Sequence, residues 1–472
     1  MTRRRVERAI SLILIVALAG FSSPGQPASS SGLAELLNRS YLEILDRSRR
    51  VSYSNAEFEA VRQKLGREEE AEKKRLEAEQ KGYETQIKSV RRELEALNRR
   101  RSRDDEVTAK QRHLLHCQIL RLENRARQAE IARKQGVPVA FDNRRAKLAL
   151  LQQWPVEQQR IEASLEAGTA RSRRYGNVED IGIRTIAEGQ EKDIKMGQDA
   201  IREMTAYGLM PPPWEDPALN RYIREIADNI AVHSDLKIPL KVTILDSEEV
   251  NAFALPGGYL YLNTGLIART ATESELVGVM AHELAHVTAR HSAKLMKRAT
   301  IAGIIYQAAQ VVAMVMTGGV VGIGAYYALQ YGFFGLGLVL DLALLGVSRE
   351  YEDEADQLGV QYAWKSGYDP RGFISLFDQL AMEKGYVTTA SFFRTHPPYA
   401  ERILSTFREL SFLPTGGDLQ IDSRRFQEMK REMLKRQEER RKEGGNRPSL
   451  KRYPDCPAEE DEPKVATDRH HH

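Results

Sequence analysis

Cysteine is almost absent from this sequence, which has only Cys117 and Cys456 among its 472 residues. Two cysteines that lie so far apart cannot form a structural zinc knot. Export would allow a disulfide between them, but no pattern in the sequence brings them together. The sequence therefore predicts no role for either cysteine.

The sequence also lacks a large excess of positive or negative charge. The chain has 70 basic and 66 acidic residues, and its formal net charge of +4 is too near neutral to indicate a nucleic-acid partner. The length of 472 residues indicates two or three segments. Charge is concentrated in the N-terminal third and at the C-terminus, where residues 416–472 are predicted to be a charged, partly disordered tail.

Charged residues are missing altogether from residues 301–340. This apolar insert is long enough for one membrane span, or for two short spans in a hairpin, but several glycines interrupt it. A buried pair of helices or a lid over an active site fits the same pattern. In each case we expect the insert to favour a membrane surface.

The first 30 residues have the composition of an export signal. The basic start, Met1 to Arg8, precedes an apolar run from Ala9 to Phe21 that is short for a membrane span. Residues 1–30 are therefore predicted to be a signal peptide, with an uncleaved N-terminal anchor as the alternative. Both predictions place the protein in the periplasm or cell envelope.

Residues 31–175 are predicted to form a helical coiled-coil region, because glycine and proline are scarce there. Apolar residues recur at steps of three, four and seven on both sides of a charged break at 101–106, which indicates two helices in an antiparallel hairpin. Gly136–Pro138 predicts the end of this arm, and Trp154–Pro155 predicts a break in the next helix. The arm is either a spacer or a surface for a protein partner or self-association.

The strongest chemical signal is His282-Glu283-Leu284-Ala285-His286. On a helix, the i, i+4 spacing places both histidines on one face, where both imidazoles can reach one metal ion. Glu283 is then the neighbour of a metal-bound water. Thr272 to Glu275 form a predicted capping box ahead of an apolar run, which is typical of a buried helix.

A third metal ligand must come from elsewhere in the chain, because a catalytic zinc ion keeps three protein ligands and one open position. The acidic stretch from Ser348 to Asp356 is the candidate. Glu352 and Asp356 share a helix face, so one can bind the metal while the other holds a ligand histidine through its second nitrogen. An acidic helix start is also common without any metal.

Two strands are predicted at 239–246 and Tyr259–Asn263, and the segment between them is a candidate substrate-binding edge. Proline cannot donate to a strand ladder and is tolerated at sheet edges. A substrate peptide could add to such an edge as a further strand, although the segment also fits a simple turn. The candidate substrate-binding residues are Asn251, Ala252, Phe253, Ala254, Pro256 and Gly257.

Together these motifs resemble the family of membrane-associated zinc endopeptidases that includes HtpX and the CAAX prenyl protease. The resemblance spans residues 176–412. The chain has one short N-terminal apolar stretch and one ambiguous apolar insert, so it is more similar to the exported, periplasmic branch than to members with several membrane spans. It is carried by His282-Glu283-x-x-His286 with Arg290-His291, by Ser348 to Asp356, by Asn251 to Gly258, and by His396-Pro397-Pro398 with Arg402. The expected fold is mainly α with a small β-sheet (α+β). A zincin-type catalytic domain at 176–415, with the apolar insert inside it, follows the coiled-coil hairpin.

The resemblance also implies the roles of individual residues. One zinc ion per chain is expected, bound by His282, His286 and Glu352. Glu283 is implied to be the general base, and Asp356 and Arg402 are implied to support the site. In exported members the histidine of the His-Pro-Pro loop can approach the metal, so His396 is implied to be a latch or a transition-state donor.

We therefore expect a zinc-dependent endopeptidase that hydrolyses peptide bonds in unfolded or damaged envelope proteins. The alternative is a latent or non-proteolytic chaperone or scaffold that uses the coiled-coil arm, with His396 in the open zinc position. A third interpretation is an integral membrane protease, which requires residues 301–340 to insert into lipid.

Overall fold

The computed structural model describes residues 30–48, 50–99, 106–206, 210–296, 349–382, 392–393, 396–443 and 456. The predicted export signal and the apolar insert at 301–340 lie outside these residues, as does the end of the predicted tail apart from Cys456. Among the described helices, none combines the length and the apolarity that a membrane crossing requires. The fold is mainly helical with one small sheet, as the sequence predicts.

The N-terminal region is built of helices. Short helices α1 (Ser30–Leu36) and α2 (Tyr41–Ser48) precede the long helices α3 (Asn55–Arg99) and α4 (Glu106–Ile131). Helices α3 and α4 pack against each other, and the Arg91 guanidinium pairs with the Glu123 carboxylate across them at 2.6 Å. Their shared buried side chains are Ile87, Val90, Leu115, Ile119 and Leu122.

Two predicted helix ends are wrong. A π-helical turn at Ala132–Gly136 carries α4 into α5 (Val137–Glu166). Pro138 lies in the first turn of α5, where its missing N–H leaves no helical hydrogen bond unmade. Helix α5 also continues through Pro155, because the preceding indole of Trp154 is buried against the ring of Phe407, 6.1 Å away between centroids.

A three-stranded sheet comes before the helix that carries the HExxH motif. Its strands are β1 (Lys241–Leu245), β2 (Ala252–Leu255) and β3 (Tyr259–Asn263). Their order is β1–β3–β2, with β3 parallel to β1 and antiparallel to β2, so β2 is an edge strand. The helices around the sheet are α6 (Asp193–Ala206), α7 (Pro217–Val232) and α8 (Thr264–Arg269).

The central helix of the catalytic region is α9 (Glu273–Thr288), and all of its residues are buried. Thr272 caps it as predicted, since its Oγ1 accepts a hydrogen bond from the Glu275 N–H at 3.4 Å. The next helices are α10 (His291–Met296), α11 (Arg349–Lys365) and α12 (Gly372–Ala381). Helices α11 and α12 pack directly on α9. Gly359 of α11 lies so close to α9 that a Cβ there would be 3.0 Å from the backbone nitrogen of His282.

The base of the N-terminal region packs on the catalytic region. Helix α5 lies against α12 and α13 (Ala400–Phe412), and one apolar cluster holds residues of all three. Within this contact the buried Lys147 Nζ lies 2.5 Å from Asp378 Oδ1. The Asn143 amide donates to the same carboxylate oxygen at 3.0 Å. A charged pair is therefore enclosed between the two regions.

The chain beyond α13 returns to the catalytic region. Helix α14 (Arg424–Glu443) is highly charged, yet it buries Phe426 and Met433 in the apolar cluster that also contains residues of α7, α9 and α11. Further along, Cys456 forms a disulfide with Cys117 of α4, across 339 sequence positions and with the two Cα atoms 5.5 Å apart. The sequence contains no local signal for this pairing.

Candidate metal centre

Two histidines of α9 face one another at the centre of the catalytic region. The Nε2 atoms of His282 and His286 are 3.0 Å apart, and both side chains are buried. They lie one helical turn apart, so the same face of α9 presents both, as the HExxH spacing predicts. Two lone-pair nitrogens therefore point into one small space.

Glu352 of α11 completes this group. Its carboxylate oxygens lie 3.5 Å from Nε2 of His282 and 3.3 Å from Nε2 of His286. Its Oε1 atom is the one near His286, and it accepts no hydrogen bond from a described residue. Because α11 crosses α9 closely at Gly359, a carboxylate on α11 can reach both histidines.

The residues fit a tetrahedral zinc ion. Zinc–ligand distances of about 2.0–2.1 Å place neighbouring ligand atoms about 3.4 Å apart, and the three separations here are 3.0, 3.3 and 3.5 Å. Two histidines and one glutamate are also a known ligand set of catalytic zinc. The space, the donor atoms and the unpaired carboxylate oxygen all suit such an ion.

The second nitrogen of His282 and that of His286 each lie close to another polar group. Nδ1 of His282 lies 2.9 Å from Asp356 Oδ1, and Asp356 in turn accepts two hydrogen bonds from the Arg402 guanidinium at 2.5 and 2.8 Å. Nδ1 of His286 lies 2.8 Å from Nδ1 of His291. Partners of this kind fix the ring orientation of metal-binding histidines.

His291 and Glu354 received no individual role from the sequence. Nε2 of His291 is 3.2 Å from Glu354 Oε2, so these residues extend the support of His286. Both belong to the motifs that carry the family resemblance. The signal that could have revealed them is chemical, because a ligand histidine needs a partner at its second nitrogen.

His396 enters the same cluster from the loop before α13. Its Nδ1 is 3.2 Å from Nε2 of His282 and 3.0 Å from Glu352 Oε2. Its Nε2 is 3.1 Å from Glu283 Oε1. Side-chain atoms of His282, His286, Glu352 and His396 that could bind a metal all lie within 4.8 Å of one another. The structure thus offers four potential ligands.

Comparison with known proteins agrees with this geometry. Residues 213–408 match the model of Peptidase family M48. Residues 213–408, about two fifths of the chain, are therefore similar to peptidase family M48 and are called the M48 domain below. The match contains α9, α11 and the His396 loop, and it supports a metalloendopeptidase.

Curated relatives match a stretch of similar length. A beta-barrel assembly-enhancing protease of Yersinia pestis is 30% identical over 214 residues, covering 44% of this chain and 41% of the relative. The protein of that name in Escherichia coli is 28% identical over 221 residues, covering 45% of this chain and 42% of the relative. The mitochondrial metalloendopeptidase OMA1 of Schizosaccharomyces pombe is 32% identical over 214 residues, covering 44% and 58%. The chain thus spans about two fifths of the length of the bacterial relatives that it matches.

Electrostatics in the M48 domain favour ionised carboxylates. Burial acts to raise the pKa of Glu352, but His396 and Arg402 outweigh it and hold that pKa well below its usual value. Burial of Glu283 is likewise outweighed, chiefly by His396, so the pKa of Glu283 is lowered. Arg402 has the same effect on the pKa of Asp356, against the opposing effect of burial. Each carboxylate is therefore charged at neutral pH.

The pKa values of His291 and His396, which are not predicted zinc ligands, shift in opposite directions. Burial lowers the pKa of His291 to about 4, so its ring is neutral. For His396, burial acts in the same direction, but Glu352 and Glu283 outweigh it and raise the pKa to about 9. These values belong to the side chains alone, and a bound cation would oppose protonation of any histidine beside it.

The predicted substrate-binding residues divide into two groups. Asn251 leads into the edge strand β2, which contains Ala252, Phe253 and Ala254. The carbonyl of Ala254 accepts a hydrogen bond from Ser292 Oγ of α10 at 3.0 Å. Pro256 and Gly257 form the turn to β3, and a Cβ at Gly257 (φ 84°) would be 2.4 Å from the Cα of Ile194 in α6. The turn is thus packed under α6, while β2 is one of the two outer strands of the sheet.

Proposed function

We propose that this protein is a zinc-dependent endopeptidase. The convergence of His282, His286 and Glu352 in one buried space supports this most directly, because it provides the ligand set of a catalytic zinc ion next to Glu283. When bound, such an ion supplies Lewis-acid chemistry that polarises a scissile carbonyl and acidifies an attacking water.

Glu283 is the general base in this mechanism. Its side chain is buried and its pKa is lowered, so it is ionised and can accept a proton from the attacking water. It then passes that proton to the leaving amine as the peptide bond breaks. Asp356, held by Arg402, keeps the ring of His282 in place during these steps.

His396 acts as a latch, by which we mean a side chain that occupies the open position of the metal site before substrate arrives. Its Nδ1 lies within 3.2 Å of the nearest atoms of both His282 and Glu352, which supports this role. Substrate entry then requires the His396 loop to move. Once displaced, the imidazole is close enough to donate a hydrogen bond to developing negative charge.

The substrate binds as an extended peptide along β2. An edge strand has N–H and C=O groups that the sheet leaves unpaired, although the Ala254 carbonyl of β2 accepts a hydrogen bond from Ser292. A peptide that pairs with the other groups is held mainly through its backbone. Weak side-chain specificity and a preference for unfolded or damaged segments follow from this mode of binding.

Envelope proteins are the natural substrates in this proposal. Two bacterial relatives are named for beta-barrel assembly, and the Cys117–Cys456 disulfide supports an oxidising compartment such as the periplasm. Residues 301–340 favour the membrane surface, and the α3–α4 pair is the surface for a protein partner or self-association.

Metal content and casein cleavage test this proposal on the parent protein and on Glu283→Gln. Both proteins are made without His470 to His472, which would bind metal on their own. We expect about one zinc ion per chain in both, with cleavage by the parent alone. Full activity of Glu283→Gln would exclude Glu283 as the base.

The second candidate is a latent enzyme or a non-proteolytic scaffold that works through its helical arm. The position of His396 among the metal ligands favours it, because a latch that never opens gives a zinc-loaded but inactive site. Zinc in both proteins with cleavage by neither would support this candidate against the peptidase.

A further inference from the structure

The chain makes a turn directly after α9. Ala289 caps the helix, and the next residue, Arg290, has φ 60°. Within the described ranges it is the only residue other than glycine with a positive φ. Residues other than glycine rarely adopt this left-handed conformation, and it persists only where the surrounding structure imposes it.

The side chain of Arg290 shows what imposes it. Nε and Nη2 donate to the two carboxylate oxygens of Asp193 at 2.6 and 2.7 Å, and Nη1 donates to the carbonyl of Glu188. A two-point contact between a guanidinium and a carboxylate fixes both position and direction. The start of α6 thus holds the end of α9 in a strained turn.

This turn brings His291 back under α9, directly beneath His286. The two Nδ1 atoms are 2.8 Å apart, and His291 is buried. On its other side, its ring stacks on Tyr351 with a centroid separation of 4.3 Å and an interplanar angle of 11°. Its Nε2 faces Glu354 Oε2 at 3.2 Å. Tyr351 and Glu354 belong to α11, the helix that also provides Glu352.

The positions of the hydrogens on His286 and His291 follow from the groups on either side of them. If His286 binds a metal through Nε2, its Nδ1 must carry the hydrogen, and Nδ1 of His291 must accept it. His291 then carries its own hydrogen on Nε2 and donates it to the Glu354 carboxylate. Only this arrangement satisfies both short contacts, so the carboxylate at one end determines the tautomer at the other.

We propose that His291 and Glu354 are positioning residues that fix the tautomer and the ring orientation of His286 and thereby set the affinity for zinc. The inference rests on the proposed zinc site. The two ligand histidines then have separate supports, since His282 relies on Asp356 and Arg402. Arg290 and Asp193 act one step further out by holding His291 in place.

Zinc affinity of the full-length protein tests the proposal, measured by competition with a chromophoric chelator. His291→Phe keeps the ring that stacks on Tyr351 but cannot accept a hydrogen bond, and we expect zinc affinity about 10–100-fold weaker. His291→Asn places an amide oxygen where Nδ1 lies, so it should recover most of the lost affinity. The matched control is Glu350→Gln, an exposed carboxylate of the same helix, which should bind zinc like the parent.

Two further measurements separate positioning from a fault in folding. Thermal unfolding without metal should be similar for His291→Phe and His291→Asn, although their zinc affinities differ. Cobalt-substituted protein should show altered d–d bands in His291→Phe and parent-like bands in His291→Asn.

The outcomes distinguish the two proposals. Zinc binding by His291→Phe as tight as that of the parent would overturn the positioning role. A loss of affinity that His291→Asn does not share supports it. A parent that binds zinc with this pattern but cleaves nothing would contradict only the peptidase. A parent that binds no zinc would contradict both.

Discussion

At the scale of single residues, His396 differs from the other potential ligands in the element that carries it. Its Nδ1 lies 3.0 Å from Glu352 Oε2, on a loop joined to α13 rather than to the helices that provide the other ligands. A ligand on a separate loop can leave without moving the rest of the site. The three ligands on α9 and α11 have no such freedom.

Replacing His396 with alanine removes the latch. We expect His396→Ala to keep about one zinc ion per chain, since three ligands stay in place, and to cleave casein faster than the parent because the open position is free. Initial rates at equal zinc content provide the measurement, with His233→Ala as a histidine control outside the site. A large fall in rate would instead identify His396 as a donor that the reaction requires.

Local spacing explains which residues could be predicted at this scale. His282, Glu283 and His286 follow from one helical turn. Glu352 required the family resemblance, because it lies 66 positions beyond His286 in the sequence. The role of His291 depends on the left-handed turn at Arg290, which no propensity predicts because that turn is imposed by a contact with Asp193.

At the scale of helices, the site depends on how closely α9 and α11 approach. Gly359 makes that approach possible, because a Cβ there would be 3.0 Å from both the nitrogen and the Cα of His282. Backbone atoms cannot move aside as a flexible side chain can. The separation of the two helices therefore sets the distance between Glu352 and the histidines.

Gly359→Ala should push the two helices apart. We expect a loss of about 1–3 kcal/mol in the free energy of unfolding from overpacking, together with weaker zinc binding. Urea unfolding and chelator competition measure the two effects. The matched control is Gly66→Ala in α3, where a Cβ meets nothing within 4 Å; it should stabilise the protein by about 0.5–1 kcal/mol. Equal behaviour of the two variants would contradict the close-packing argument.

The wrong helix ends belong to this scale as well. Proline is a strong local signal for a break, and the sequence around Pro155 contains nothing that opposes it. The opposing contribution comes from Trp154, which packs on Phe407 of α13, more than 250 positions away. Propensity alone cannot include a contact of that kind.

At the scale of the whole molecule, the N-terminal helices and the M48 domain share a buried interface. Lys147 is fully buried and Asp378 nearly so, and the two lie within 2.5 Å. Asp378 belongs to α12, which also provides Phe373, whose ring stacks on His282 at 4.9 Å between centroids. Helix α12 therefore links the helical region to the site.

Lys147→Met should leave the Asp378 carboxylate buried without its charge partner. Breaking a buried pair in this way costs about 3–5 kcal/mol, and we expect that loss in urea unfolding. Adding Asp378→Asn should restore much of it, because no uncompensated charge is left. The control is Lys134→Met in an exposed pair with Glu130, where the change should be about 0–1 kcal/mol. A similarly small effect of Lys147→Met would show that the interface does not depend on this pair.

The disulfide between Cys117 and Cys456 closes most of the chain into a covalent ring. A cut at any peptide bond between these two positions opens the ring but releases no fragment, so both pieces travel together. A protease that cleaved itself within this span would keep its full mass under non-reducing conditions. Such a cleavage would be detected only after a reductant is added, because the disulfide holds the two pieces together until then.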